Sequence, residues 1–476
     1  MSSPSCPTSD LRVCSETGTG TSPQCVFPGG VCTGSETVPV SKQTRTLGAR
    51  LRAWLASVPS RHVRSGAVAL ADQVVLSAVN LATGVLLARL CSKEEFGLYS
   101  LGASIVLFGS TVQGALILTP YVIFSPRRKG LSRARYAGST LIHQLGLCVA
   151  GMVAMAVGGA ILAAGIGPPE LTPVVWTLAG VIGLLFLRDY ARQISFADLR
   201  MEAALRLDSA MAMLQLGGLG LLVLAGWLSA ASTWGIIGGA SCLSVAGWLI
   251  GSRKSFRVRR RDVGADLRRN WTTGKWVFAS GLVWALATYL YPWLLLAFHG
   301  SAAAGVWAAC FGIVALTNPL ILGVQNFLGP SIAHAYADGD RARLCRHAAR
   351  AATVVTAGFL PLLAALAIAG GPLAVLVYGA KYAGYGAVVA GLAMNTLAAT
   401  LSFPFSRVLF AVGRADVDFA ATVVSLAVLL TAGMWLVRTH DVTGAALGLL
   451  LGNVAGLLVR YIAFLRLQVR EDMGTA

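Results

Sequence analysis

The sequence predicts an all-α membrane protein of about 12 transmembrane helices arranged as two six-helix lobes, on three observations. Hydrophobic residues make up 56% and charged residues only 12% of the 476, against about a quarter charged in a soluble domain. The mean hydropathy is +0.70. The apolar residues gather in uncharged runs close to the ~20 that a helix rising 1.5 Å per residue needs to cross a ~30 Å hydrocarbon layer. Finally, Lys and Arg segregate to one side of those runs, as they do around membrane-spanning helices.

In chain order, residues 1–60 are rich in Ser, Thr, Gly and Pro and hold no apolar run, which predicts a disordered cytoplasmic tail with a short interfacial helix near 51–58. Nothing in the first 30 residues resembles the apolar segment of a signal peptide. Twelve spans follow, at 66–90, 97–118, 137–163, 172–190, 207–228, 232–251, 274–298, 302–323, 348–370, 384–404, 417–437 and 443–465. With both termini placed in the cytoplasm, only Arg89, Lys93, Lys381 and Arg438 of the 38 basic residues fall on the far side. Adding or removing one span would scramble that separation. The far-side loops are short, the longest being 371–383, so no external domain fits. The expected division is a tail at 1–60, an N-lobe at 61–252, a basic linker at 253–273, a C-lobe at 274–466 and a tail at 467–476.

The two lobes are suggested by an internal repeat. A shift of 208 residues places Gly66 on Gly274, Val75 on Val283, Leu86-Leu87 on Leu294-Leu295, Gly97 on Gly305 and Ile105-Val106 on Ile313-Val314. A displacement of six spans leaves both halves in the same orientation, a layout used by secondary transporters with the substrate path between the halves.

Span 1 carries more polarity than an anchor needs. Gln73, Ser77, Asn80 and Gly84 form one narrow stripe, with Asp72 about 100° to one side. Polar groups in lipid are costly unless they face protein or water, so this helix reads as the wall of a cavity. Asp72 is the one acid deep in a span: either an ion-coupling carboxylate or the partner of Arg61 or Arg64. His143 and Gln144 could relay protons or join helices, and Arg188, Asp189, Arg192 and Arg200 could hold a phosphate or simply snorkel. The buried amides include Gln113, Gln215, Asn318, Gln325, Asn326, Asn395 and Asn453, some lining the cavity and others only joining helices. Thr288 and Tyr291, the repeat partners of Asn80 and Thr83, complete the cavity candidates together with Arg89 and Arg407. Pro120, Pro292, Pro319, Pro330, Pro361 and Pro404 supply hinge positions.

Other function classes lack their chemistry. The net charge of +18 recurs in alternate loops and not in one patch, which points to anionic membrane lipids and not to nucleic acid. Of nine cysteines, Cys6, Cys14, Cys25 and Cys32 lie in the tail without a CxxC pair or a histidine cluster, so neither a disulfide framework nor a metal is expected. There is no phosphate-binding GxxxxGK[ST] loop, nucleophile elbow or HExxH helix, so no cofactor or catalytic set is expected.

The stretches LADQVVLSAVNLATGVLLARL and EEFGLYSLGASI resemble the opening of bacterial polysaccharide and O-antigen flippases of the MOP exporter superfamily. GKWVFASGLVWALATYLYPWLLL, GVWAACFGIVALTNPL with Pro330 beyond it, and VYGAKYAGYG are similar to later parts of the same family, so the resemblance spans roughly residues 60–466. It implies a bacterial inner-membrane protein that moves an undecaprenyl-pyrophosphate-linked oligosaccharide by alternating access, with a polysaccharide polymerase and glycosyltransferases as partners. It also implies a cationic cavity, and here the sequence departs: Arg89, Arg188, Arg407 and Arg460 all lie near span ends. The alternatives are a drug exporter of the MATE type, coupled to Na⁺ or H⁺ through Asp72, and a membrane polymerase or ligase, which the short external loops disfavour.

Overall fold

A computed structural model describes residues 60–337 and 341–472, and every element in it is helical. The tail expected over 1–59, its interfacial helix and residues 473–476 lie outside the described residues. The N-terminal half comprises α1 (Ser60–Leu90), α2 (Lys93–Phe124), α3 (Gly130–Ala163), α4 (Thr172–Ala197), α5 (Met201–Ala225) and α6 (Ala230–Ser252). The C-terminal half comprises α7 (Arg260–His299), α8 (Ser301–Ala315), α9 (Asn318–Ala337), α10 (Arg341–Tyr378), α11 (Gly386–Ala411), α12 (Ala415–Val428) and α13 (Met434–Asp472). Helix starts follow from local chemistry. Ser92 accepts from the Glu95 amide at 3.2 Å, and Ser229 forms a reciprocal box with Ser232 at the head of α6, which satisfies amides that have no partner within the helix.

Ten helical runs are long and apolar enough to cross a membrane, and α8 with the start of α9, bent by 53°, makes an eleventh. The last run, Ala415–Leu467, has 53 residues, about 80 Å of helix and more than twice the hydrocarbon thickness. It breaks at His440 and Asp441, where Asp441 has φ 53°, and folds back on itself. Gly444, Gly448, Gly452 and Gly456 then run down the seam against Leu436, Gly433 and Ser425, close enough that a Cβ would collide at Gly444 and Gly448. Small residues every fourth position let two helical backbones approach in this way. Counting that hairpin as two passes gives twelve crossings.

Boundaries differ from the sequence expectation where helices outrun their apolar stretch. α4 continues to Ala197, α10 to Tyr378 and α7 begins at Arg260, so the expected linker 253–273 and external loop 371–383 are both largely helix. Hydropathy marks the lipid-facing length of a helix, and a helix stops only where its backbone bonding or a Gly turn stops it.

At one end the two halves share a core. Leu87, Ala88 and Phe96 pack with Tyr291, Trp307, Tyr378 and Tyr382. Here α2 crosses α8 with no room for side chains. A Cβ at Gly97 would overlap the Ser301 carbonyl, and one at Gly305 would overlap the Lys93 carbonyl. Gly97 and Gly305 are repeat equivalents, and each meets the residue four positions before the other, Ser301 and Lys93, so the repeat read from the sequence is a local two-fold at this crossing. Toward the other end, where the arginines gather, α7 lies against α2 and α3. Arg128 pairs with Asp266 at 2.9 Å, Tyr136 donates to Asn270 at 2.9 Å, and a Cβ at Gly274 would sit 2.6 Å from the Ala115 carbonyl.

Candidate functional site

The densest polar assembly in the bundle lies where α1, α4 and α5 meet. Arg192 holds Asp72 at 2.8 Å through Nη2 and Asp208 at 2.6 Å through Nε, while Arg188, one turn earlier on α4, donates to the other Asp208 oxygen. Two arginines face two aspartates, Asp72 with no exposed surface and Asp208 with 2%. A buried ion is tolerable only when paired and hydrogen-bonded, because desolvation costs several kcal/mol per charge. The balance here is close, with one residual feature: Asp72 Oδ1 and Arg188 Nε are buried without a partner. Higher on the same interface Gln215 of α5 donates to Thr83 of α1 at 2.8 Å. These contacts clamp α1 to its own half.

Asp72 is therefore bound by Arg192, and Arg61 and Arg64 lie where side chains are not described. Asp208, which sequence reasoning passed over, is a second acid deep in the bundle. It sits at position 8 of α5, a helix that begins at Met201 and not at the expected 207. Arg192 was drawn beyond the end of span 4, yet its spacing of four from Arg188 put both on one helical face, and that was a usable signal. With both guanidiniums engaged by aspartate, the cluster Arg188–Arg192 is a clamp between helices.

The remaining predicted residues divide into joints and exposed groups. Gln113 donates to the Phe186 carbonyl at 2.8 Å and Asn395 accepts from Asn453 at 2.7 Å, both buried. Tyr291 has no exposed surface and stacks on Trp307 at 5.7 Å. His143 bonds the Val263 carbonyl at 3.0 Å and helps to fix α7. Thr288 is half-buried and donates to Trp284 of its own helix at 2.8 Å. Arg89 caps the end of α10, donating to the Val377 carbonyl at 2.8 Å and to Leu376. Lys381 reciprocates from the other half, donating to the Cys91 carbonyl. In contrast, Ser77, Asn80, Asn318 and Arg407 are exposed, and Gln73 and Gln325 half-buried, and among the described residues none of them bonds to another side chain.

The α1 stripe sits between two faces of that helix. Asp72 and Thr83 are bonded into the N-terminal half, Leu87 is buried in the core shared with the other half, and Leu70, Val74 and Leu81 are exposed apolar groups. Gln73, Ser77, Asn80 and Gly84 lie between, and a Cβ at Gly84 or Gly66 would meet nothing within 4 Å. Among the described residues, no hydrogen bond or ion pair joins positions 66–82 of α1 to the C-terminal half. The halves thus meet at the α2–α8 crossing, and along the lower part of α1 the polar stripe is exposed and, among the described residues, unbridged. Among the described residues no group of three His, Cys, Asp or Glu could hold a metal.

A helical bundle of this size, whose halves meet through a repeat-related crossing, has the same fold as several solved membrane proteins. A multidrug transporter of the MATE family in the MOP superfamily, solved facing inward, superposes with a TM-score of 0.69 at 14% identity over 86% of this chain and 99% of that one. The same description facing outward gives 0.58 at 14% identity over 86% and 96%. The lipid II flippase MurJ, in an inward closed conformation, gives 0.66 at 14% identity over 83% and 87%. The profile of a polysaccharide biosynthesis protein family matches residues 86–386, and the chain belongs to that family. No curated protein sequence matches. The protein is a multi-pass membrane protein of that polysaccharide biosynthesis family, with the fold of those solved structures.

Proposed function

We propose that the protein carries an undecaprenyl-pyrophosphate-linked oligosaccharide, an O-antigen or exopolysaccharide repeat unit, from the cytoplasmic to the outer leaflet of a bacterial inner membrane. The single observation that carries this reading is the unequal bridging of the two halves. They are locked at the α2–α8 crossing by Gly97, Gly305, Arg89 and Lys381, and α7 is bonded to the N-terminal half at the basic end, while positions 66–82 of α1 make no hydrogen bond or ion pair to the C-terminal half among the described residues. With the basic end taken as cytoplasmic, α1 is the helix free to open inward, and the higher TM-score to the inward-facing transporter (0.69 against 0.58) supports an inward-facing state. A pyrophosphate crossing the low-dielectric midplane needs polar partners, and the polyprenyl chain can stay in lipid beside the unbridged α1. Gln73, Ser77 and Asn80 offer amides and a hydroxyl to that head group, with Arg407 as an exposed cation that no carboxylate pairs with among the described residues.

One observation favours a second reading. Asp72 is a buried carboxylate with an unpartnered oxygen, the kind of group an ion-coupled drug exporter would use. Reconstituted vesicles separate the two. Labelled undecaprenyl-pyrophosphate-linked sugar should cross with the wild-type chain and slow with Asn80→Ala, while Asp72→Asn leaves some movement. Vesicles that pass no lipid-linked sugar but exchange a cationic drug for protons, and lose this with Asp72→Asn, would replace the proposal with the exporter.

A further inference from the structure

We propose that Arg89 and Lys381 form an outer latch with two alternative partners: helix-end carbonyls of the opposite half when the outer mouth is closed, and an anionic phosphate head group when it opens. With the basic end taken as cytoplasmic, only four of the 38 Lys and Arg fall on the outer side, and three of them meet at one place. Arg89, at the end of α1, donates to the Val377 carbonyl at 2.8 Å and to the Leu376 carbonyl, both in the last turn of α10. Lys381, just beyond α10, donates back to the carbonyl of Cys91, one residue past the end of α1. Lys93 stands 5.2 Å over the Tyr385 ring, again across the two halves.

The last carbonyls of a helix have no partner within it and form the negative end of its dipole. Each half therefore supplies the cation that a helix end of the other half lacks, and both bonds last only while the outer end stays closed. Opening breaks them together, leaving carbonyls that water can satisfy and two cations on facing walls. Among the described residues neither Arg89 nor Lys381 forms an ion pair, and Glu95 on the adjoining turn of α2 is spent on the Ala230 amide at 2.5 Å. A phosphate oxygen is a stronger acceptor for either cation than a neutral carbonyl, so an anion that binds the freed pair favours the open state. Arg89 is exposed and Lys381 half-buried, so an anion can reach the pair from the outer side.

The repeat places a second seam opposite, without the basic pair. The shift of 208 residues carries Arg89 to Ala297, Cys91 to His299 and Lys93 to Ser301. There Ser301 donates to Glu170, between α3 and α4, at 2.5 Å, and His299 bonds the Val437 carbonyl of its own half at 2.7 Å. One seam carries three cations and the other an acid, so an anion is drawn to the α1–α10 side of the outer mouth and repelled from the other. This inference rests on the reading that the transported head group is anionic.

Hydrogen–deuterium exchange of the purified full-length chain in detergent tests it, followed on peptides covering 86–97 and 373–385. Inorganic pyrophosphate, with ionic strength held constant by sodium chloride, should raise exchange in both segments of the wild type. Arg89→Gln and Lys381→Gln should each raise exchange in both segments by about tenfold without ligand, the loss of one charged hydrogen bond, and should remove the pyrophosphate response. Arg89→Lys should keep part of that response, and Arg438→Gln, at the fourth outer cation, should change nothing. Exchange that rises only in the segment whose carbonyl lost its cap would show local fraying and overturn the latch. A wild type indifferent to pyrophosphate, or a response kept by both glutamine variants, would overturn the second partner. If Arg89→Gln does not fold, Lys381→Gln and the wild-type response decide alone. Lipid-linked sugar that crosses vesicles while pyrophosphate leaves both segments unchanged sinks this inference only. A pyrophosphate response in a chain that moves no lipid-linked sugar sinks the transport reading only.

Discussion

The first helices of the two halves, α1 and α7, occupy equivalent positions in the repeat and live in different surroundings. Gly66 and Gly274 align in sequence, yet a Cβ at Gly274 would sit 2.6 Å from the Ala115 carbonyl while one at Gly66 would meet nothing within 4 Å. α7 reaches across to the other half and is pinned there by Arg128–Asp266, Tyr136–Asn270 and His143. α1 does not reach across until its last turn, where Arg89 meets α10. Below that it is held to its own half by Asp72–Arg192. A repeat supplies two copies of one element, and a single conformational state can use one as a bridge and leave the other as a free wall. The comparison teaches that the asymmetry of this bundle is written in its residues as well as its conformation, since Asp72, which holds α1 to its own half, has Ser280 as its repeat partner in α7.

The strongest way to break that arrangement is to unbalance the clamp of α1. Arg192→Leu leaves Asp72 and Asp208 buried around a missing charge, and should destabilise the protein by about 3–5 kcal/mol. Chemical denaturation in detergent measures it, and Asp72→Asn added to Arg192→Leu should recover part of the loss. Full stability of the single variant would mean that α1 is not held by this network. The effect on α7 should be smaller and one-sided. Gly274→Leu drives a side chain into the Ala115 backbone and should cost about 1–3 kcal/mol, whereas Gly66→Leu at the equivalent place should stay within about 0.5 kcal/mol. Equal costs would show that the two helices share one environment.

Much of the bundle was legible because transfer of a helix into lipid sums over single residues. Runs such as 66–90 and 232–251, and the side on which Arg and Lys gather, need no knowledge of partners. Even the proline-marked break was visible, since Pro319 opens α9 after the 53° bend. The ion network was not legible, because it depends on which helices meet. Arg192 falls beyond the expected end of its span and Asp208 at the very start of the next, and only the packing of α4, α5 and α1 shows that they pair inside the bundle. The amides teach the same point. Gln113, Gln215 and Asn395 look like Asn80 in sequence, but each is spent on a neighbouring helix, on Phe186, Thr83 and Asn453.

That last distinction gives the smallest expected effect on stability and the most telling one on function. Asn80 is exposed on the wall of α1, and its repeat partner Thr288 is half-buried with its hydroxyl bonded to Trp284 of its own helix. Asn80→Ala should leave the denaturation midpoint unchanged within about 0.5 kcal/mol, while slowing lipid-linked sugar movement in vesicles by about fivefold, the worth of roughly one hydrogen bond to a charged head group. Thr288→Ala should alter neither quantity by that much, because its hydroxyl already has a partner in the helix. If Thr288→Ala slowed movement as strongly as Asn80→Ala, both walls would touch the substrate, and the free wall of α1 would lose its special standing. A fall in stability with Asn80→Ala would instead place that amide among the joints, with Gln113 and Gln215.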